Sequence, residues 1–214
     1  MAHSKLEYLI ERNIINSPMI INKELLYGDY TYADYLAHPE LFTENNIFTY
    51  KIQLNDSVKY IYWNIKFFTS ETTAIAKYYE KQNWNEYGCH LFITMFGEIN
   101  IDPCLDKIQI KINGRDREVL NDELFYTYAH PISKGLNSLE RGNYCFCYAL
   151  FPQLLQPSGT CNYSQLEDAS ISMTLKQDII YHFFRDKVFA VVKLYAKAYN
   201  ILRVISGKAG LAFV

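Results

Sequence analysis

The chain predicts an all-β fold, an antiparallel sandwich of about eight strands, which is the strand number of a jelly roll, with an N-terminal arm and a short helical insertion. Three observations predict it. Apolar and polar residues alternate with a period of two in segment after segment from Phe48 onward. Asn, Asp, Gly and Pro cluster between those segments. The helical patterns that would have to separate the strands of a parallel α/β sheet are absent.

The first 45 residues are expected to form an arm or linker ahead of a single jelly-roll domain over residues 46–214. Leu6, Leu9, Ile10 and Ile14 recur at helical spacing, which predicts a short amphipathic element ended by Pro18. Residues 19–42 carry turns at Gly28-Asp29 and His38-Pro39. Residues 48–54 alternate as a half-buried strand, and Asn55-Asp56-Ser57 turns the chain. The next strand, 58–68, places Val58, Tyr60, Tyr62, Asn64 and Lys66 on one face. Lys59, Ile61, Trp63, Ile65 and Phe67 take the other, and both sides are apolar enough to lie between layers.

Residues 70–86 break the pattern with good helix formers behind Thr69 or Ser70 as a cap, so a short helix or long loop is expected. Strands return at 90–95 and 107–113, and the turn dipeptide Asn113-Gly114 ends the second. Residues 115–128 read as a loop with a short helical piece. A strand follows at 143–151, then a loop stiffened by Pro152 and Pro157 with Gly159 as its flexible point. Residues 169–175 form a strand with Ile171, Met173 and Leu175 on one face, and 187–205 is a long β-rich stretch. Gly207 and Gly210 are expected to permit a bulge or a close backbone approach before the final residues.

Composition narrows the function classes. Aromatic residues make up 16% of the 214, with 19 Tyr and 13 Phe, side chains suited to pleated sheets and to protein–protein interfaces. The formal net charge is -2 with no basic block, which argues against nucleic acid as a direct partner. No apolar run is long enough for a membrane span, and the N-terminus carries no secretory signal, so the reducing cytosol is the expected compartment. Cys89, Cys104, Cys145, Cys147 and Cys161 form no CxxC pair or zinc spacing, and Cys145 and Cys147 are expected to pack as small hydrophobes on one strand face.

Enzyme signatures are missing. His3, His38, His90, His130 and His182 form no HxH pair, and no nucleophile elbow, Walker loop or HExxH occurs. Asp116 with Glu118, and Glu167 with Asp168, read as solvated loop charges. No catalytic residue, cofactor or metal is expected. A carbohydrate-binding module is the alternative on this fold, with Tyr27, Tyr30, Tyr32 and Tyr35 as its aromatic platform.

Three stretches carry a more specific signal. Gln156-Pro157-Ser158-Gly159-Thr160-Cys161-Asn162-Tyr163-Ser164 resembles the QPSGTxNFSR segment of the major capsid proteins of nucleocytoplasmic large DNA viruses, the group that includes iridoviruses, phycodnaviruses and mimiviruses. The run from Tyr195 to Phe213, with Tyr199, Asn200, Leu202, Arg203, Ser206, Gly207 and Gly210, is similar to that family's closing YAxNYNxLRIMSGMGGLAY. Asn113, Gly114 and Arg117 match its NGxxR turn. Lys208, Ala209 and Gln165 stand where the family has Met, Gly and Arg.

The resemblance covers the C-terminal of the family's two jelly rolls. It implies a structural capsid protein and not an enzyme, located in the virion capsid after synthesis in the host cytoplasm. The implied partners are other capsid subunits, in a homotrimer or a hetero-assembly with the major capsid protein.

Overall fold

The computed structural model describes residues 5–42, 46–69, 89–93, 99–140, 142–177, 183–184 and 188–212. In chain order the strands are β1 (Lys5–Ile15), β2 (Met19–Ile21), β3 (Ile47–Lys51), β4 (Ser57–Thr69), β5 (Cys89–Ile93), β6 (Ile99–Pro103), β7 (Leu105–Ile112), β8 (Arg115–Asp116) and β9 (Asn121–Asp122). They continue with β10 (Asn143–Cys147), β11 (Cys161–Asn162), β12 (Ala169–Leu175), β13 (Val188–Ile205) and β14 (Lys208–Leu211). Helices α1 (Lys23–Tyr27) and α2 (Tyr32–Ala37) precede β3, and a π-helical turn at Phe125–Ala129 runs into α3 (His130–Ser133).

Two antiparallel sheets form the body. The larger runs β1-β13-β4-β10, with β2 and β14 also on β13 and β11 on β4; the smaller runs β3-β12-β7-β8, with β9 also on β7. Strands β5 and β6 pair as a separate hairpin. The mostly-β, two-sheet architecture expected from the alternation is therefore present.

The core lies between the sheets because alternation aims every second side chain inward. Ile61, Trp63 and Ile65 of β4 and Val192, Leu194 and Ala196 of β13 meet Phe48 and Tyr50 of β3, Ile108 and Ile110 of β7, and Ile171 and Met173 of β12. Trp63 is fully buried, 5.6 Å from the ring of Tyr126 and 5.7 Å from that of Tyr144. A second cluster packs Tyr27 and Phe42 against Phe184 and anchors the α1–α2 segment. That segment is locally specified, since Asn22 caps α1 and Thr31 with Asp34 forms a capping box on α2.

Three expectations need correction. Residues 5–15 form a strand and not a helical element, and pair with β13 from Lys5↔Ile205 to Ile15↔Tyr195. The same residues that show helical spacing also alternate as Leu6, Tyr8 and Ile10, and the long β13 offers eleven residues of partner, so tertiary pairing decides. The face assignment of β4 fails at its start. A β-bulge lets Val58 pair with Ala198 and Tyr60 with Lys197, leaving Lys59 as the extra residue, so Val58 joins the core and Lys59 turns to the outer wall. The strand expected at 143–151 ends at Cys147, because the amides of Tyr148 and Ala149 both turn to the Lys59 carbonyl at 2.8 and 3.1 Å. The helix or loop expected at 70–86 lies outside the described residues.

Candidate functional site

Two of the three sequence motifs meet at one end of the sandwich. Asn113 and Gly114, at φ 51° and 70°, form the two-residue turn that joins β7 to β8. The Asn113 Oδ1 accepts the amides of Glu167 at 3.0 Å and Asp168 at 3.2 Å, while its own amide donates to the Asp168 carbonyl at 2.8 Å. One side chain thereby fixes the loop that enters β12. The amide of Arg117 donates to the Ile110 carbonyl at 2.8 Å. Ile112, Arg115, Asp116, Arg117, Tyr148, Thr160 and Cys161 line a cleft of about 390 Å³, so the turn and the Gln156–Ser164 loop share one wall of the molecule.

That loop folds back on the end of β10. The Ser158 carbonyl accepts the amide of Leu150 at 3.2 Å, and the Ser158 hydroxyl accepts that of Phe151 at 2.8 Å. Gly159 sits at φ 130°, where a Cβ would stand 3.1 Å from the Tyr148 carbonyl oxygen, so this approach needs glycine. Gln156, Pro157 and Thr160 are exposed. Asn162 pairs with Ser57, and its Oδ1 accepts the Ser164 amide at 3.2 Å and hydroxyl at 2.7 Å. The Tyr148 and Tyr163 hydroxyls lie 2.6 Å apart, and burial pushes both phenols up from their ordinary range.

The third motif belongs to the far end of β13. Tyr199 and Asn200 are buried, and the Asn200 Oδ1 accepts the Ile201 amide at 2.7 Å. Leu202 pairs with Tyr8 and Leu211, and the Arg203 Nε donates to Glu7 at 2.8 Å. Ser206 and Gly207, at φ 52° and 78°, make the two-residue turn into β14. The bulge or close approach expected at Gly207 and Gly210 is replaced by this turn. The β13–β14 register is regular, and nothing stands within 4 Å of a Cβ at Gly210.

Sequence reasoning missed Lys59 and Glu11. The Lys59 ammonium donates to Glu11 and, at 2.8 Å, to the Leu154 carbonyl, and lies 4.8 Å over the Tyr199 ring. Lys197 reaches the other Glu11 oxygen at 3.3 Å. Burial raises the Glu11 pKa, but hydrogen bonds from Lys59 and Lys197 outweigh it and hold the carboxyl below its usual range. The available signal was a lysine among Ile61, Trp63 and Ile65.

Nearby, Cys145 and Cys147 are buried with their sulfurs 3.8 Å apart, as partners on one strand face. The contact raises the Cys145 thiol and, with His130, lowers that of Cys147. Among the described residues no three His, Cys, Asp or Glu side chains converge as metal ligands. None of the described helices is long and apolar enough to cross a membrane. The geometry serves to hold loops: turns with positive φ, capped amides, a hydroxyl pair and a buried ion pair each tie one segment to another.

Residues 33–210 match the sequence model of the family described as large eukaryotic DNA virus major capsid protein. The chain is 32% identical over 123 residues to a major capsid protein of Paramecium bursaria Chlorella virus 1, spanning 51% of this chain and 28% of that protein. It is 30% identical over 153 residues to capsid protein 1 of Acanthamoeba polyphaga mimivirus, spanning 66% and 25%. In three dimensions it resembles a chain of the PBCV-1 virus capsid with a TM-score of 0.66 at 22% identity, covering 100% of this chain and 52% of that one. It also resembles the Faustovirus major capsid protein, with a TM-score of 0.58 at 15% identity and coverage of 94% and 34%. At such identities the structural likeness speaks for the fold. The chain spans about a quarter of these two curated relatives' length, and about half and a third of the two solved chains. All four are capsid proteins or capsid chains, so the sugar-binding alternative gains no support.

Proposed function

Because the chain belongs to the large eukaryotic DNA virus major capsid protein family, we propose that it is a structural capsid protein, a single jelly roll that works by packing sideways against other capsid subunits and has no enzymatic turnover. The family match over residues 33–210, laid on a two-sheet sandwich, carries this reading. The motif residues Asn113, Gly159, Asn162, Ser206 and Gly207 act by holding loops in shape for neighbours to meet, a role their local bonds and backbone angles support.

Its place is the virion shell, after synthesis in the host cytoplasm. Its partners are copies of itself in a trimer, or full-length major capsid subunits. A net charge of -2 favours protein neighbours over nucleic acid. The jelly-roll domain takes in β1 as well as residues 46–214, and the arm is the remaining segment from Asn16 onward, tied down by β2 and the Tyr27–Phe42–Phe184 cluster. Quantitative mass spectrometry of purified virions tests the assignment. Many copies per particle are expected, and absence from the particle would overturn it.

A further inference from the structure

The larger sheet outruns the smaller one. The core ends near the ion pair of Arg12 with Asp56, 2.8 Å, and beyond it β1, β13 and β14 continue as a single layer. The register sets Tyr8 beside Leu202 and Leu202 beside Leu211, with Leu6 beside Val204 and Val204 beside Ala209. Directly opposed residues of an antiparallel sheet share a face, so beyond the pairing of Ile10 with the buried Asn200 one side of this extension is lined by the apolar side chains of Leu6, Tyr8, Leu202, Val204, Ala209 and Leu211. It continues the side that faces the core through Leu194, Ala196 and Ala198. Leu6 and Tyr8 are 50% and 51% exposed and Leu211 is 41% exposed, and none of the three belongs to the core cluster. The opposite side is mixed, with Glu7 bonded to Lys5 at 2.9 Å and Arg203 at 2.8 Å between Leu9, Ile201 and Ile205.

A second bare apolar surface lies beside the root of this extension. Leu150, Phe151, Leu154 and Leu155 are each more than half exposed, on a loop whose backbone is pinned. The Leu154 carbonyl accepts from Lys59 at 2.8 Å and from the Tyr199 hydroxyl at 3.4 Å, and the Gln153 amide donates to the Gly135 carbonyl at 2.6 Å. A loop held this firmly does not display leucines by looseness. No Asp, Glu, Lys or Arg occurs from residue 142 to residue 166, a depletion typical of the centre of a protein interface.

We propose that the apolar strip of one copy seats the Leu150–Leu155 loop of a second copy of this chain. The inference rests on the capsid reading and names the surfaces through which subunits meet. Three arguments select a second copy. Both surfaces lack charge, so like meets like without repulsion, while a charged partner finds nothing to pair with. Their sizes match, at roughly 400 Å² each if a half-exposed large side chain offers about 100 Å². Strand-to-strand joining along the free edge of β1 is discouraged by its charged Lys5, Glu7, Glu11 and Arg12, which leaves the face. A contact of this size is small for one isolated pair. A head-to-tail contact that closes into a ring gives each chain two of them.

The test is complementation. Tyr8→Glu spoils the strip and keeps the loop; Leu154→Glu spoils the loop and keeps the strip. Sedimentation velocity at micromolar concentration is expected to show an oligomer for the unaltered chain and monomers for each variant alone; in an equimolar mixture raised to submillimolar concentration, where a single open contact can be read, a pair is expected that neither variant forms by itself. Leu36→Glu, an exposed site on α2, is expected to keep the oligomer, and Tyr8→Ser with Leu154→Ser repeats the mixing test with milder changes. Cooperative melting of every variant separates lost contact from lost fold. A monomeric unaltered chain, an oligomer that survives both changes, or a submillimolar mixture no more associated than either variant alone would each overturn the inference. None of these outcomes touches the capsid assignment, which stands or falls on presence in the virion.

Discussion

Lys59, with 1% of its side chain exposed, is paired across the larger sheet with Glu11, whose side chain is 22% exposed. The lysine is there because a bulge turns it out of the core and onto the outer wall, where the loop after β10 covers it. Its carbonyl also takes the amides of Tyr148 and Ala149. One residue thus joins β1, β4, the end of β10 and the loop, and the stability of that wall depends on a charge sealed from water.

Removing the carboxylate alone leaves the ammonium buried with a single carbonyl acceptor. Glu11→Ala is expected to lower unfolding free energy by about 2–3 kcal/mol, somewhat under the usual cost of breaking a buried pair because Glu11 is partly wet. Lys59→Met combined with Glu11→Leu is expected to cost less than Glu11→Ala. Urea unfolding of the single and double variants checks the order, and simple additivity would show that the two side chains are not coupled.

The same pair sets a pH dependence. The folded pKa of Glu11 is held below its ordinary value of 4.5, so its contribution is complete above that value and is lost as pH falls toward the lowered one. Unfolding midpoints are expected to decline on the acid side of 4.5, and to decline less steeply in Glu11→Gln. Equal acid slopes in the two proteins would refute this.

Two glycines with positive φ separate backbone strain from crowding. Gly159→Ala meets both, at φ 130° and with the Tyr148 oxygen 3.1 Å away, and is expected to cost about 1–3 kcal/mol. Gly207→Ala, at φ 78° with open space around it, is expected to cost about 1 kcal/mol or less. Thermal melts rank the pair.

Strand β13 pairs with β1 along one edge and β4 along the other, and turns into β14 at its end. Deleting residues 196–214 is therefore expected to abolish soluble folding. A truncated chain that stays soluble and melts cooperatively would contradict the central placement of this strand.

Short-range pattern was legible where it was sufficient. Residues 169–175 alternate cleanly and form β12 residue for residue, and Asn113-Gly114 makes the turn its dipeptide demands. The same pattern misled where a distant partner decides. Leu6, Leu9, Ile10 and Ile14 fit a helix until the unpaired edge of β13 is known. The motif of Gln156–Ser164 was visible, but the reason for Gly159 was not, since the atom it must avoid belongs to Tyr148, and the hydroxyl partner of Tyr163 is that same residue. Lys59 was placed on the face of Ile61, Trp63 and Ile65 because an alternation carried unbroken through β4 cannot show an inserted residue.

That inserted residue works as a phase reset. Upstream of it the strand keeps Val58 inward, and downstream Ile61, Trp63 and Ile65, so the two halves obey opposite parities along the chain. Losing Lys59 itself would bring the halves into one parity and leave the sorting of the core intact, at the cost of the wall's tether. Losing Ile61 would turn Trp63 and Ile65 toward water. The chain's tolerance of length change in β4 is thus confined to the place where the buried Lys59 sits.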